Sequence, residues 1–309
     1  MSRLHLFRGA LPGVLGLTGL MVTGCSIRQY TVNRLGDALA RSSGGTFASD
    51  DDPELVKAAA PFSLKLIESL LAESPNHPGL LLSATSGFTE YAYAFVQEDA
   101  DELEVTNFSA SQVMHTRAKR LYLRARNYGL RGLEARHPGF TAALAAAPTG
   151  AAAQTDRSDV PLLYWTAAAW SAAIAQAKDD PALIADLPKV EALIDRAVAL
   201  DEAWDQGALH TFLISYESAR SGPGDAAERS RQQFERAVAL SGGRLAAPYV
   251  SYAEAVPLRR QQAAEFRRLL EQALAIDADA DPPDRLANLV AQRRARWLLS
   301  RMDELFLNP

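Results

Sequence analysis

The sequence is nearly without cysteine. Cys25 is the single one in 309 residues, which excludes a disulfide within one chain. Histidine is scarce too: beyond His5, only His77, His115, His137 and His210 occur, never paired at metal-ligand spacing. His77 (Asn-His-Pro-Gly) and His137 (Arg-His-Pro-Gly) occupy matching turns after a helix. A cation complementing the helix dipole is a simpler reading of both than a metal ligand. Gly-x-Ser-x-Gly, Ser-x-x-Lys, Gly-x-x-x-x-Gly-Lys and Gly-x-Gly-x-x-Gly are all missing. With them go the common nucleophile and phosphate-loop chemistries. Carboxylates are plentiful, but none stands apart from a solvated face. Beyond the first 24 residues no stretch approaches 18 uninterrupted apolar residues, so no second membrane element is expected. The net charge of −5 argues against a nucleic-acid partner. No catalytic residue, metal or cofactor emerges.

What is present begins at the N-terminus. Arg3, His5 and Arg8 form a basic start, and Leu11 to Val22 is an apolar run too short for a hydrocarbon core of roughly 30 Å. Gly9, Pro12, Gly13, Gly16 and Gly19 argue against a buried core helix there. The run closes on Val22-Thr23-Gly24-Cys25, the pattern of a lipoprotein cleavage box. The small Thr23 and Gly24 suit a peptidase that grips extended chain, and the Cys25 thiol is the atom that takes a diacylglycerol. Residues 1–24 therefore read as a signal peptide and Cys25 as the lipidation site. One acyl chain binds marginally, and each buried methylene adds about 0.8 kcal/mol, so two or more chains anchor firmly. Cleavage removes two arginines and no acid, moving the net charge from −5 to −7. Ser26 in place of an aspartate leans towards an outer-membrane anchor facing the periplasm.

Residues 25–52 read as anchor, tether and a short helix over Tyr30 to Ala40, broken by Ser42-Ser43-Gly44-Gly45. In Asp50-Asp51-Asp52-Pro53-Glu54 the capping pattern outweighs a calcium loop, because the spaced ligands and turn glycine are missing. From residue 53 to 309 the apolar positions recur every three or four residues, which predicts an all-α domain. The helices fall near 53–73, 78–98, 107–135, 159–178, 188–200, 203–219, 225–240, 245–255, 259–276 and 283–305, with Pro or Gly at most breaks. The Ala-rich stretch around Pro148 and Gly150 is the best place for a looser surface connection, near 141–157.

A degenerate repeat runs through this pattern. Arg196-Ala197-Val198-Ala199-Leu200 returns as Arg236-Ala237-Val238-Ala239-Leu240, then as Gln272-Ala273-Leu274-Ala275-Ile276. The frames Val190/Ile194/Ala197, Ser230/Phe234/Ala237 and Phe266/Leu270/Ala273 each stack on one helix face, with a small residue last to admit a neighbouring helix. Stacked helical hairpins of a tetratricopeptide-like kind are expected, without a regular period of 34.

Curved helical stacks present concave faces, and Tyr and Trp on such faces suit partly apolar ligands. Tyr91 and Tyr93, Trp165 and Trp170, and Tyr249 and Tyr252 are the candidate ligand- or partner-binding residues; ordinary core packing is the competing account of each. Gln292-Arg293-Arg294-Ala295-Arg296 is basic and reads as a solvated face partnering acidic neighbours.

In order along the chain, several words build one resemblance. They are the box at Cys25, Gly79-Leu80-Leu81-Leu82, and Glu90-Tyr91-Ala92-Tyr93-Ala94-Phe95-Val96. Arg120 to Tyr128 and Leu163 to Trp170 follow, then Leu209-His210, Phe234-Glu235-Arg236-Ala237 and Pro248 to Ala253. Together they resemble the T-component (TatT) lipoproteins associated with TRAP transporters, over essentially the whole mature chain. The resemblance implies a non-enzymatic, tetratricopeptide-like periplasmic lipoprotein. Such a protein works with the solute-binding P-component of a TRAP system, through a pore or cleft for hydrophobic solutes. Self-association, for instance as a trimer, is also implied. A generic scaffold lipoprotein of envelope assembly is the alternative function, and an envelope hydrolase a third.

Overall fold

The computed structural model describes Arg34 and residues 45–307. Cys25, the signal segment and, apart from Arg34, the helix expected over Tyr30 to Ala40 lie outside the described residues. Within them every regular element is helical and no strand occurs.

Helix α1 (Pro53–Glu73) starts where Asp52 caps it: its carboxylate accepts from the Glu54 and Leu55 N–H groups at 3.1 and 3.0 Å, with Pro53 in the first turn. Its buried face runs Val56, Ala60, Leu64, Ile67, Leu70 and Leu71, the three-and-four spacing of one stripe. Each such Leu or Ile contributes roughly 1.5–3 kcal/mol by leaving water. Helix α2 (Pro78–Ala92) follows, and here the reading of His77 needs correcting. Its Nδ1 accepts the Leu80 N–H at 3.2 Å, so it caps the start of α2 rather than complementing the end of α1.

The helix expected to end near residue 98 runs on. A π-helical turn over Tyr93–Gln97 joins α2 to α3 (Glu98–Glu104). Such a turn adds a residue to the helical repeat and so rotates everything after it. Helix α4 (Phe108–Arg136) packs between α2 and α7 (Val160–Ala175). Gly129 permits that approach, since a Cβ there would lie 2.1 Å from Thr166 Oγ1.

The Ala-rich connection is not loose. It forms α5 (Phe140–Ala146) and α6 (Pro148–Ala152), and Phe140, Leu144, Ala151 and Ala152 are buried. His137 ends α4 as expected, with Nε2 2.8 Å from the buried carboxylate of Asp159. After the single turn α8 (Pro181–Ile184), the chain continues through α9 (Leu187–Asp201), α10 (Ala208–Glu217), α11 (Ala226–Ser241), α12 (Ala247–Ala255) and α13 (Ala263–Leu274). Successive helices pack on one another, α10 on α11 and α12 on α13. Val190, Ile194, Ala197, Phe266, Leu270 and Ala273 are all fully buried, as are Ser230 and Ala237. Finally α14 (Arg285–Ser300) and the short α15 (Met302–Leu305) close the chain. Helix α14 returns to α1, and Arg285 Nη1 donates to the Ser49 carbonyl at 2.9 Å.

Candidate functional site

That return frames a cavity of about 580 Å³. Helix α1 contributes Val56, Ala60, Leu64 and Ile67 to its wall; α12 and α14 contribute Val250, Leu286 and Val290 from the far end of the chain. Gly87, Ala94, Ala247, Ala287 and Ala291 keep the space open, because no long side chain grows into it from those positions. Four serines, Ser63, Ser83, Ser86 and Ser251, supply hydroxyls. Among the described residues the wall contains one carboxylic acid, Glu90, and no Lys, Arg or His. A volume of this size, mostly apolar with a few polar groups, is that of a small-molecule site.

The structure brings three of the six aromatic candidates to this wall: Tyr91, Tyr93 and Trp165. Tyr91 is held by Arg117, whose Nη2 lies 3.4 Å from its hydroxyl. Tyr93 keeps 43% of its surface, yet burial raises its pKa well above the ordinary value. The two agree once its open face is seen to look onto the cavity rather than bulk water. Trp165 stands edge-on to Tyr164 at 4.9 Å, and Tyr164 packs at 5.0 Å on Trp204, which also reaches the wall.

The other three sit elsewhere. Trp170 is 4% exposed, with Arg126 5.0 Å and Lys189 5.6 Å from its ring. Tyr252 stacks on Phe234 at 4.7 Å and Tyr249 meets the same ring edge-on at 5.4 Å. These contacts are those of core packing between α11 and α12.

Two acidic features were not separable in the sequence. The first is Glu90: it remains exposed at the cavity wall, and the protein crowded around it pushes its pKa up to about 7, with the charge of Asp205 adding to the rise. Asp205 is itself raised by burial and by Asp284. It lies in a turn where Asp205, Gln206 and Gly207 have φ of 48°, 53° and 87°, a left-handed run that costs roughly 1–2 kcal/mol per non-glycine residue. Gln206 locks the turn: its amide donates to Asp284 Oδ1 at 2.9 Å and its carbonyl oxygen accepts from Arg244 at 2.9 Å. The only sequence signal for Glu90 is its isolation among Phe88, Tyr91, Tyr93 and Phe95.

The second feature is a seam of charge between α3 and α14. Arg293 Nη2 reaches Asp99 and Glu102, both at 2.8 Å, and Lys57 reaches Asp99 at 2.7 Å. Arg294 joins Asp101 at 2.7 Å to Glu254 at 2.6 Å, with its guanidinium 4.4 Å from the Trp297 ring centre. The basic run thus does meet acidic partners, but largely inside the fold, and Gln292 beside it is buried, donating to the Ile276 carbonyl at 2.7 Å. Glu98, 1% exposed, lies against this seam with neither oxygen hydrogen-bonded by a described residue. Burial raises its pKa to about 8, against the pull of Arg294. Tyr93 also favours its charged form, though no well-aligned hydrogen bond reaches either oxygen.

Among the described residues the body is all helical, with a largely apolar cavity whose wall carries four serines and one carboxylic acid. Comparison with known proteins sharpens that description. The family profile of the TRAP transporter T-component matches residues 49–306. The chain belongs to that family, a transport-associated one. An uncharacterized protein of Treponema pallidum (strain Nichols) is 30% identical over 307 residues, covering 94% of this chain and 95% of that protein. No described helix is long and apolar enough to cross a membrane.

Proposed function

We propose that this protein is a periplasmic lipoprotein that docks the solute-binding P-component of a TRAP system and holds an apolar or amphipathic solute on its way to the transporter. The observation that supports it most is the cavity, walled by α1 and α2 at one end of the chain and by α12 and α14 at the other. A space built from both ends closes only in the complete fold, as a dedicated binding site would. Acylated Cys25 tethers the body to the outer membrane, where being held beside the transport machinery is part of the role. The helical hairpins form a degenerate tetratricopeptide-like stack. Exposed Phe62, Phe108 and Val113 are available for contacts with the P-component or with further copies in a homo-oligomer such as a trimer.

The test has three arms. The purified protein should take up the neutral apolar probe N-phenyl-1-naphthylamine, and Ser86→Trp, which fills the cavity, should abolish the uptake. Pull-down from an envelope extract should recover a periplasmic solute-binding protein. Cys25→Ser should move the protein from the membrane to the soluble periplasm. Uptake untouched by Ser86→Trp would overturn the cavity as the solute site; absence of a solute-binding protein from the pull-down would overturn the docking role.

A further inference from the structure

The cavity is asymmetric in charge. Among the described residues its wall offers hydroxyls, aromatic side chains and one carboxyl, and no cation. Glu90 makes no ion pair, and its carboxyl no hydrogen bond, with any described residue. Several other acids drawn out of water are treated differently. Asp101 has Arg294, Asp159 has Arg136 and His137, and Glu217 has Arg220 and Arg229. Even Glu98 lies beside Arg294. Glu90 and Asp205 are left with a repelling neighbour in place of a partner among the described residues, and of the two it is Glu90 that lines the cavity.

We propose that the solute is an amphiphile with a protonated aliphatic amine as its head, and that Glu90 is the counter-charge that receives it. This rests on the cavity being the solute site. An unpaired carboxylate in an apolar space is costly, and an ammonium beside it removes that cost while adding a charge-assisted hydrogen bond. Tyr93, Trp165 and Trp204 add ring faces on which a cation is attracted. The apolar tail lies along Val56, Leu64, Ile67, Val250 and Val290. A carboxylate-headed lipid would instead bring a second negative charge against Glu90 and Asp205 with no cation to meet it, in a medium where like charges repel far more strongly than in water. The protein crowded around Glu90 holds its pKa near 7, so the charged form that an ammonium needs is within reach at neutral pH.

The experiment is displacement of N-phenyl-1-naphthylamine from the full-chain protein by dodecylammonium, dodecanol and dodecanoate, each below its micelle concentration. Dodecylammonium should displace the probe at a concentration about tenfold lower than dodecanoate, the worth of one charge-assisted hydrogen bond. Glu90→Gln should erase that preference and leave dodecanol unchanged. Ser86→Lys places a cation one helical turn from Glu90 and should turn the preference towards dodecanoate. Equal displacement by the three, or a preference for dodecylammonium that survives Glu90→Gln, overturns the amine head while leaving the cavity as the solute site. Failure of the probe and of dodecanol to bind overturns the cavity itself and this inference with it.

Discussion

Glu90 and Glu98 lie eight residues apart on the same run of helix, and the structure treats them in opposite ways. Between them is the π-helical turn over Tyr93–Gln97. On its N-terminal side Glu90 faces an open apolar space with Asp205 as its nearest charge influence. On its C-terminal side Glu98 is sealed against α14, where Arg293 and Arg294 gather the acids of α3. Both carboxyls are raised by desolvation, to about 7 and about 8. A raised carboxyl pKa alone therefore does not mark a site. What separates them is access: one adjoins room for a ligand, whereas the other adjoins packed side chains. Tyr93 stands at the boundary, with its ring on the cavity wall and its charge environment shared with Glu98.

The largest effect expected comes from breaking the sealed side. Arg294→Ala strands Asp101 and Glu254, both partly buried, and should cost about 3 kcal/mol in urea unfolding. A loss under 1 kcal/mol would show the seam to be a surface network of little weight.

Next is Glu98→Gln. A carboxyl whose pKa is higher folded than unfolded binds protons on folding. Its contribution to stability is therefore complete below its ordinary 4.5 and lost as pH rises through about 8. The neutral amide escapes that loss, so the variant should match the parent at pH 5 and exceed it by about 2 kcal/mol at pH 8.5. An equal change at both pH values would remove the ionisation argument.

Glu90→Gln should shift thermal stability in the same direction, with its window between 4.5 and about 7, and by clearly less than Glu98→Gln, because its carboxyl is open to the cavity. If it stabilised more than Glu98→Gln, the contrast between open and sealed acids would fail. Smallest of all, Tyr93→Phe should change stability by under about 1 kcal/mol, since no hydrogen bond of its hydroxyl is needed by the packing. Probe binding is the measurement on which it should register, through the polarity of the cavity wall.

The parts of the fold that were legible in the sequence are those governed by local rules. Asp52-Pro53 opened α1 where the capping pattern placed it, and the four-then-three frames at Val190/Ile194/Ala197 and Phe266/Leu270/Ala273 are buried as their spacing required. The errors were also local in origin. His77 was equally plausible after α1 or before α2, and only the Nδ1 contact with the Leu80 N–H decides between them. The Ala-rich stretch looked loose because alanine carries little packing signal; Phe140 and Leu144 bury it nonetheless. Helix α2 seemed to end near residue 98 because a π turn leaves the composition of the chain unchanged. Of the aromatic candidates, Tyr91, Tyr93 and Trp165 share one wall, while Trp170, Tyr249 and Tyr252 pack inside helix pairs. Helical period alone cannot distinguish an aromatic that faces a core from one that faces a void.

By itself the sequence determined the helical class, the Asp52 cap and the family, because these depend on neighbours within a few turns or on the order of words along the chain. Tertiary structure alone decided where the space lies. The cavity exists because α14 returns to α1, joining residues more than 190 positions apart, as Arg293 with Asp99 also shows. The different surroundings of Glu90 and Glu98 were settled by that same return. The side chains that α14 brings to α3 pair with Asp99, Asp101 and Glu102 and seal Glu98 beside them without a direct partner, and the small and apolar ones that α12 and α14 bring to α2 leave Glu90 on an open wall.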